Sequence, residues 1–330
     1  MMSVKEESIL MLNKKSKASG LSGQKLSAFW SDKTVRIVNS CLVLAAGSLW
    51  GLMGLLVRSL NAVGLASMEI TSIRSIITCI SLLLVMLLFN RKAFKIRLKD
   101  IWCFIGTGAC SVTFFNYCYF KTMTLTSLSV AAVLLYTAPA LVMLMSAFLF
   151  KEKLNLKKIL ALCLAFLGCS FVSGIVGGAG ALSAKGILFG LGAGFGYALY
   201  SIFGRYALER GYTSLTISFY TFLCSSVCTF FLADQGKIAN ALSGNISVLF
   251  KTIILVLIVT LLPYLSYTRG LKGLENGTAS VLASVEPVVA TLVGVIIYKE
   301  ALNVWNVTGI CLVLGSIVLI NVNLKKNERE

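Results

Sequence analysis

Few residues in this chain could do chemistry. Glu286 is followed by Pro287 inside an apolar run of membrane length, Ala279–Asn303 (ASVLASVEPVVATLVGVIIYKEALN). An ionised carboxylate at that depth costs several kcal/mol unless it is paired, hydrated or protonated, so it faces a bundle interior or a water-filled cavity. There it can carry a proton, bind a substrate ammonium, act as a gate, or make a structural hydrogen bond to a neighbouring helix. Arg74 lies inside another apolar run and is the natural counter-charge. Measured from one face, Arg74 is about eight residues deep and Glu286 about twelve, a difference of roughly 6 Å at 1.5 Å per residue. The two are expected to pair in at least one conformation. Glu69, nearer the interface, is the alternative partner for Arg74.

The prolines act on the backbone. Pro139 and Pro287 have no N–H, so the carbonyls of Leu135 and Ala283 lose their helical partners and each helix can kink. Such carbonyls can coordinate an ammonium or a water. They can equally be satisfied by Ser280, Ser284 or Thr137, leaving only a structural kink. Pro263 offers a third break. Aromatic residues gather at Phe114, Phe115, Tyr117, Tyr119, Tyr136, Phe195, Tyr197 and Tyr200. Most aromatic residues in membrane helices pack or anchor at interfaces. Tyr136, one turn before Pro139 and aligned with Ser284, and Trp50, beside Gly51, are the expected cavity-lining pair. The candidate substrate or coupling set is therefore Glu286, Arg74, Tyr136, Trp50, Pro139, Pro287, Ser284 and Tyr119.

Composition excludes other chemistry. There is no histidine, which removes the commonest general base and the usual nucleophilic triads. The ten cysteines are scattered through apolar segments without CxxC pairs, so neither a metal nor a cofactor is expected. No Walker A sequence is present, and the GxGxxG-like fragments follow no strand, which argues against nucleotide binding. The charge of +17 reads as cytoplasmic loops facing anionic lipid, not as a nucleic-acid surface. A polytopic membrane enzyme would need polar catalytic groups clustered near one interface, and the carboxylates here are widely spread.

The elements that position these residues are membrane helices. The chain has 330 residues, 57% hydrophobic and 13% charged, and its apolar runs are too long for soluble cores. Ten spans are predicted near 37–58, 66–89, 101–120, 128–150, 157–176, 186–204, 213–233, 249–268, 277–298 and 303–323, joined by short loops of which 234–248 is the longest. With both termini cytoplasmic, that face carries 23 of the 30 Lys and Arg residues and the other face six, with Arg74 within a span. Residues 1–35 form a basic cytoplasmic tail without a secretory signal, whose end, Lys25–Ser40, could lie on the membrane surface; residues 324–330 form a second tail.

The chain repeats itself. Ala131–Asn155 superposes on Ala279–Asn303 without a gap at an offset of 148 residues, bringing Pro139 onto Pro287, Lys151-Glu152 onto Lys299-Glu300 and Asn155 onto Asn303. At the same offset Tyr119 meets Tyr267 and Cys163-Leu164 meets Cys311-Leu312. Each copy holds five spans, 36–176 and 177–323, and an odd number inverts the second copy in the membrane. Inverted repeats of this kind place a substrate site near the midplane between the halves. Span six carries Gly186, Gly190, Gly192, Gly194 and Gly196, a surface for close helix approach either within the bundle or in a homodimer.

The Trp50-Gly51 pair, Arg74, the Tyr136-x-x-Pro139…Glu152 pattern and Glu286-Pro287…Glu300 together resemble the drug/metabolite transporter superfamily, in particular its ten-span exporters with two EamA-type domains. The likeness covers about residues 37–323. It implies an inner or plasma-membrane carrier that exports small metabolites such as amino acids by alternating access. A carrier of phosphorylated or nucleotide-linked sugars is the alternative within that superfamily; it should place several cations in the cavity, and only Arg74 qualifies.

Overall fold

The computed structural model describes residues 23–174 and 183–321, with side chains from Thr34 onward. The stretches 1–22, 175–182 and 322–330, which include most of the N-terminal tail and nearly all of the C-terminal one, lie outside the described residues. Among the described residues every regular element is helical. Hydrocarbon dictates this, because it offers backbone groups no partner other than each other.

Ten helices follow in chain order. They are α1 (Gly23–Gly51, continuing as Met53–Asn61), α2 (Ser67–Phe89), α3 (Leu98–Leu125), α4 (Leu128–Leu149), α5 (Leu156–Val172), α6 (Ala184–Glu209), α7 (Ser214–Leu232), α8 (Ile246–Leu271), α9 (Asn276–Tyr298) and α10 (Val304–Asn321). Nine of them are long and apolar enough to cross a membrane. The remaining one, α5, has 17 residues, at the short end of what a bilayer core requires. Two details depart from the sequence expectation. Helix α1 begins at Gly23, inside the stretch read as tail, and the 234–248 connection holds a helix of its own, Gln235–Gly244.

Polar side chains set the helix starts. Ser127, Asn155, Ser183 and Thr213 each accept a hydrogen bond from the backbone N–H three residues on, satisfying one of the otherwise orphaned amides. The ends of α4 and α9 are set alike: Lys151 and Lys299, equivalent in the repeat, both adopt the left-handed conformation, with φ of 55° and 56°.

The packing carries the inverted repeat into three dimensions. Helix α1 packs on α8 and α9 as α6 packs on α3 and α4, while α2 pairs with α7, α4 with α9 and α5 with α10. The α5–α10 crossing is close, since a Cβ on Gly168 would sit 2.8 Å from the Gly309 carbonyl and one on Gly309 2.7 Å from that of Gly168. The span-six glycines face α3 and α4 of the same chain: Gly190 abuts Leu134, Gly192 the Cys118 thiol and Gly196 the Phe115 backbone. Internal packing thus uses that surface.

Candidate transport cavity

Both copies interrupt the same two helices. In α4 the break falls at Tyr136-Thr137, between Leu128–Leu135 and Ala138–Leu149. In α9 it falls at Ser284-Val285, between Asn276–Ala283 and Glu286–Tyr298. Pro139 and Pro287 occupy the first turn of each second half, where a missing N–H costs nothing. Small residues let the facing helices cover the breaks. A Cβ on Gly47 of α1 would lie 2.8 Å from the Ala283 carbonyl, and one on Gly194 of α6 would lie 3.0 Å from that of Leu134. The hydroxyls expected to satisfy Leu135 and Ala283 bond elsewhere: Thr137 donates to Leu134, Ser280 to Gly277 and Ser284 to Ser280.

A second pair of irregularities lies on α3 and α8. Both contain a π-helical stretch, Gly106–Thr113 and Leu257–Leu261, and in each a threonine hydroxyl donates to a carbonyl five residues back, Thr113 to Gly108 and Thr260 to Leu255. The π stretch thus accounts for the irregularity in α8, ahead of Pro263.

Between the halves lies a cavity of about 660 Å³. It reaches the surface where Arg58, Asn61 and Glu300 are exposed, and it ends on buried Tyr200, Ser201, Tyr264 and Tyr267. Trp50 stands in its middle, 6.3 Å from the Tyr197 ring and 5.4 Å from those of Tyr264 and Tyr267. Glu286 begins the second half of α9, where the helix dipole favours a negative charge, and its carboxylate accepts one long hydrogen bond, 3.5 Å, from Tyr197. Arg74 is buried on α2, donating to Thr260 at 3.2 Å and to the Met53 sulfur at 3.1 Å.

Six of the eight residues singled out from sequence line this cavity: Glu286, Arg74, Tyr136, Trp50, Pro287 and Tyr119. Pro139 and Ser284 are buried in the packing beside it, with the Ser284 hydroxyl donating to the Ser280 carbonyl. The expected Arg74–Glu286 pair is not made in this conformation, nor does Glu69 reach Arg74; neither Arg74 nor Glu286 has an ion-pair partner among the described residues. Tyr197 was named only as one of the aromatic group, and Tyr264, Met53 and Thr260 not at all. The repeat offset held a signal for one of them: Tyr264 falls on Asn116, an unlike pair that lines the cavity from both sides, just as Glu286 falls on Ala138.

The closed end is built from paired hydroxyls. Tyr200 bonds Thr268 at 2.7 Å, Ser201 bonds Tyr267 at 2.8 Å, and Arg205 donates to the carbonyls of Leu271 and Leu274. These tie α6 to α8 and to the loop that follows it.

Two inverted five-helix halves around a membrane-embedded cavity open at one end define a membrane transporter. The EamA-like transporter family matches residues 39–174 and again 184–322, and the chain belongs to that family. Among its relatives, a protein of Archaeoglobus fulgidus named as an uncharacterized transporter is 26% identical over 68% of this chain and 79% of its own length. The uncharacterized transporter YetK of Bacillus subtilis is 27% identical over 74% of this chain and 76% of its own. A solved crystal structure superposes with a TM-score of 0.71 over 85% of this chain and 95% of the other, at 17% identity, which speaks for the shared fold. The chain is a multi-pass membrane protein, consistent with a place in the cell membrane.

Proposed function

We propose that this protein exports small zwitterionic metabolites, amino acids foremost, by alternating access, with both termini in the cytoplasm. One observation carries the reading: a half-buried carboxylate and a buried guanidinium share one cavity, and neither has a counter-charge among the described residues. A buried ion without a partner is costly, and a solute bearing both charges would neutralise the two at once. Glu286 takes the ammonium, with the faces of Trp50 and Tyr197 adding cation–π attraction, and Arg74 takes the carboxylate.

Alternating access is supported by the asymmetry of the two ends. The α6–α8 hydroxyl pairs shut one end while the other admits solute to the rim at Arg58 and Glu300. Rocking one half against the other exchanges the two arrangements, since the helix pairs are equivalent. Sugar phosphates fit less well. Among the described residues Arg74 is the one cation in the deep part of the cavity lining, and Arg58 at the rim already pairs with Glu300 at 3.2 Å. Counterflow into proteoliposomes loaded with an unlabelled amino-acid mixture tests the proposal. Labelled amino acids should exchange and sugar phosphates should not; exchange of sugar phosphates alone overturns it.

A further inference from the structure

Helices α4 and α9 end alike, and their ends are used differently. After Lys151 and Lys299, both left-handed, the N–H of Glu152 donates to the Ser146 carbonyl at 3.3 Å and that of Glu300 to the Gly294 carbonyl at 3.2 Å. The backbone therefore presents Glu152 and Glu300 in the same way, one at each end of the cavity. Their carboxylates diverge. At the closed end Glu152 reaches into the other half and accepts hydrogen bonds from the N–H groups of Asn276 at 2.8 Å and Gly277 at 3.3 Å, the start of α9. The Asn276 amide adds a bond to the Ser146 hydroxyl at 3.1 Å. A carboxylate on the first amides of a helix gains from charge-assisted hydrogen bonding and from the helix dipole together.

At the open end Glu300 takes a different partner. The repeat sets Leu128 and Ser129, the start of α4, in the places of Asn276 and Gly277. Both line the open cavity, as Glu300 does. Ser127 accepts from the Val130 amide, but among the described residues no side chain accepts from the N–H of Leu128 or Ser129. Glu300 pairs instead with Arg58 at 3.2 Å, a contact in which both side chains are half exposed and which is therefore weak. Its carboxylate also lies against Gly294, where a Cβ would collide with it. Ser146 holds the place of Gly294 in the first copy, and its hydroxyl is tied to Asn276. The glycine thus leaves Glu300 a berth, beside Arg58, that Glu152 lacks.

We infer that Glu152 and Glu300 are the two latches of the transport cycle, engaged in turn. When the open end closes, Glu300 leaves Arg58 and its berth at Gly294 and accepts the N–H groups of Leu128 and Ser129. Glu152 releases Asn276 and Gly277 as the other end opens. Each latch ties the tail of one kinked helix to the head of its counterpart in the other half, so both cannot be dispensed with and neither touches the solute. The inference rests on the alternating-access reading, and not on which solute is carried.

The test is hydrogen exchange, read by mass spectrometry on the full-length protein in phosphatidylcholine nanodiscs without solute. In wild type the amides of Asn276 and Gly277 should exchange slowly and those of Leu128 and Ser129 fast. Glu152→Gln should speed exchange at Asn276 and Gly277 about ten-fold, the loss of a hydrogen bond to a charged group, and slow it at Leu128 and Ser129 by up to the same factor. A carboxylate that merely caps its own helix would not move the far end. Adding Glu300→Gln to Glu152→Gln should abolish that slowing. Arg58→Gln, which breaks only the exposed pair, frees Glu300 and should also slow Leu128 and Ser129; it carries the test if Glu152→Gln fails to fold. Unchanged exchange at Leu128 and Ser129 in both single variants, or slowing that survives Glu300→Gln, overturns the latches. Amino-acid counterflow that persists while the two ends exchange independently overturns them too, and leaves the transport reading standing.

Discussion

Replacing Glu286 with Gln separates a binding carboxylate from a structural one. The carboxylate has one long hydrogen bond, 3.5 Å from the Tyr197 hydroxyl, and no ion-pair partner among the described residues. An amide of the same shape keeps that bond, so stability should change by less than about 1 kcal/mol. With an ammonium docked the balance differs. Wild type then makes a charge-assisted hydrogen bond in a buried site, worth about 1.5–3 kcal/mol, which the amide forgoes. The half-saturation concentration for counterflow should therefore rise about ten- to hundred-and-fifty-fold, while the melting temperature of the purified protein holds. A substrate analogue lacking the ammonium should bind the two proteins equally. If Glu286→Gln transports amino acids with unchanged half-saturation and the same response to an imposed pH gradient, Glu286 neither binds the substrate nor carries a proton, and the reading of the cavity fails.

Two further perturbations test the frame around the site. Tyr267→Phe removes the hydroxyl bonded to Ser201 at 2.8 Å, one link of the closed end, and at about 1 kcal/mol should favour opening of that end about five-fold. Hydrogen exchange at the end of α8 should speed up accordingly, and an unchanged rate would deny those hydroxyls a gating role. Gly51→Ala would set a Cβ 2.6 Å from the Glu286 carbonyl and 2.7 Å from Val289, overpacking that costs about 1–3 kcal/mol and shifts the second half of α9. Gly54→Ala, with open space around it, should leave the melting temperature unchanged.

The membrane class, the helix positions and the two-copy architecture were legible because each is a local or periodic property of the sequence. Apolar length writes a span directly, and a constant offset of 148 residues writes a repeat, as Lys151 and Lys299 confirm by sharing one unusual backbone conformation. The breaks in α4 and α9 were legible too, since Pro139 and Pro287 have no N–H to continue the ladder of the turn before them, whereas Pro263 leaves α8 unbroken. Glu286 stood out as a carboxylate in hydrocarbon whose counterpart in the first copy is alanine.

Partner choice was decided by the tertiary structure alone. Depth along the membrane put Arg74 and Glu286 within reach of each other, but depth says nothing about which way a helix is rotated. Packing turns Arg74 toward Thr260 and Met53, and Tyr197, three helices away in sequence from Glu286, supplies its hydrogen bond. The same holds for the closed end, where Ser201 meets Tyr267. These contacts depend on how the two inverted halves dock, and docking is fixed by side-chain fit at glycine-lined crossings, which no single segment encodes.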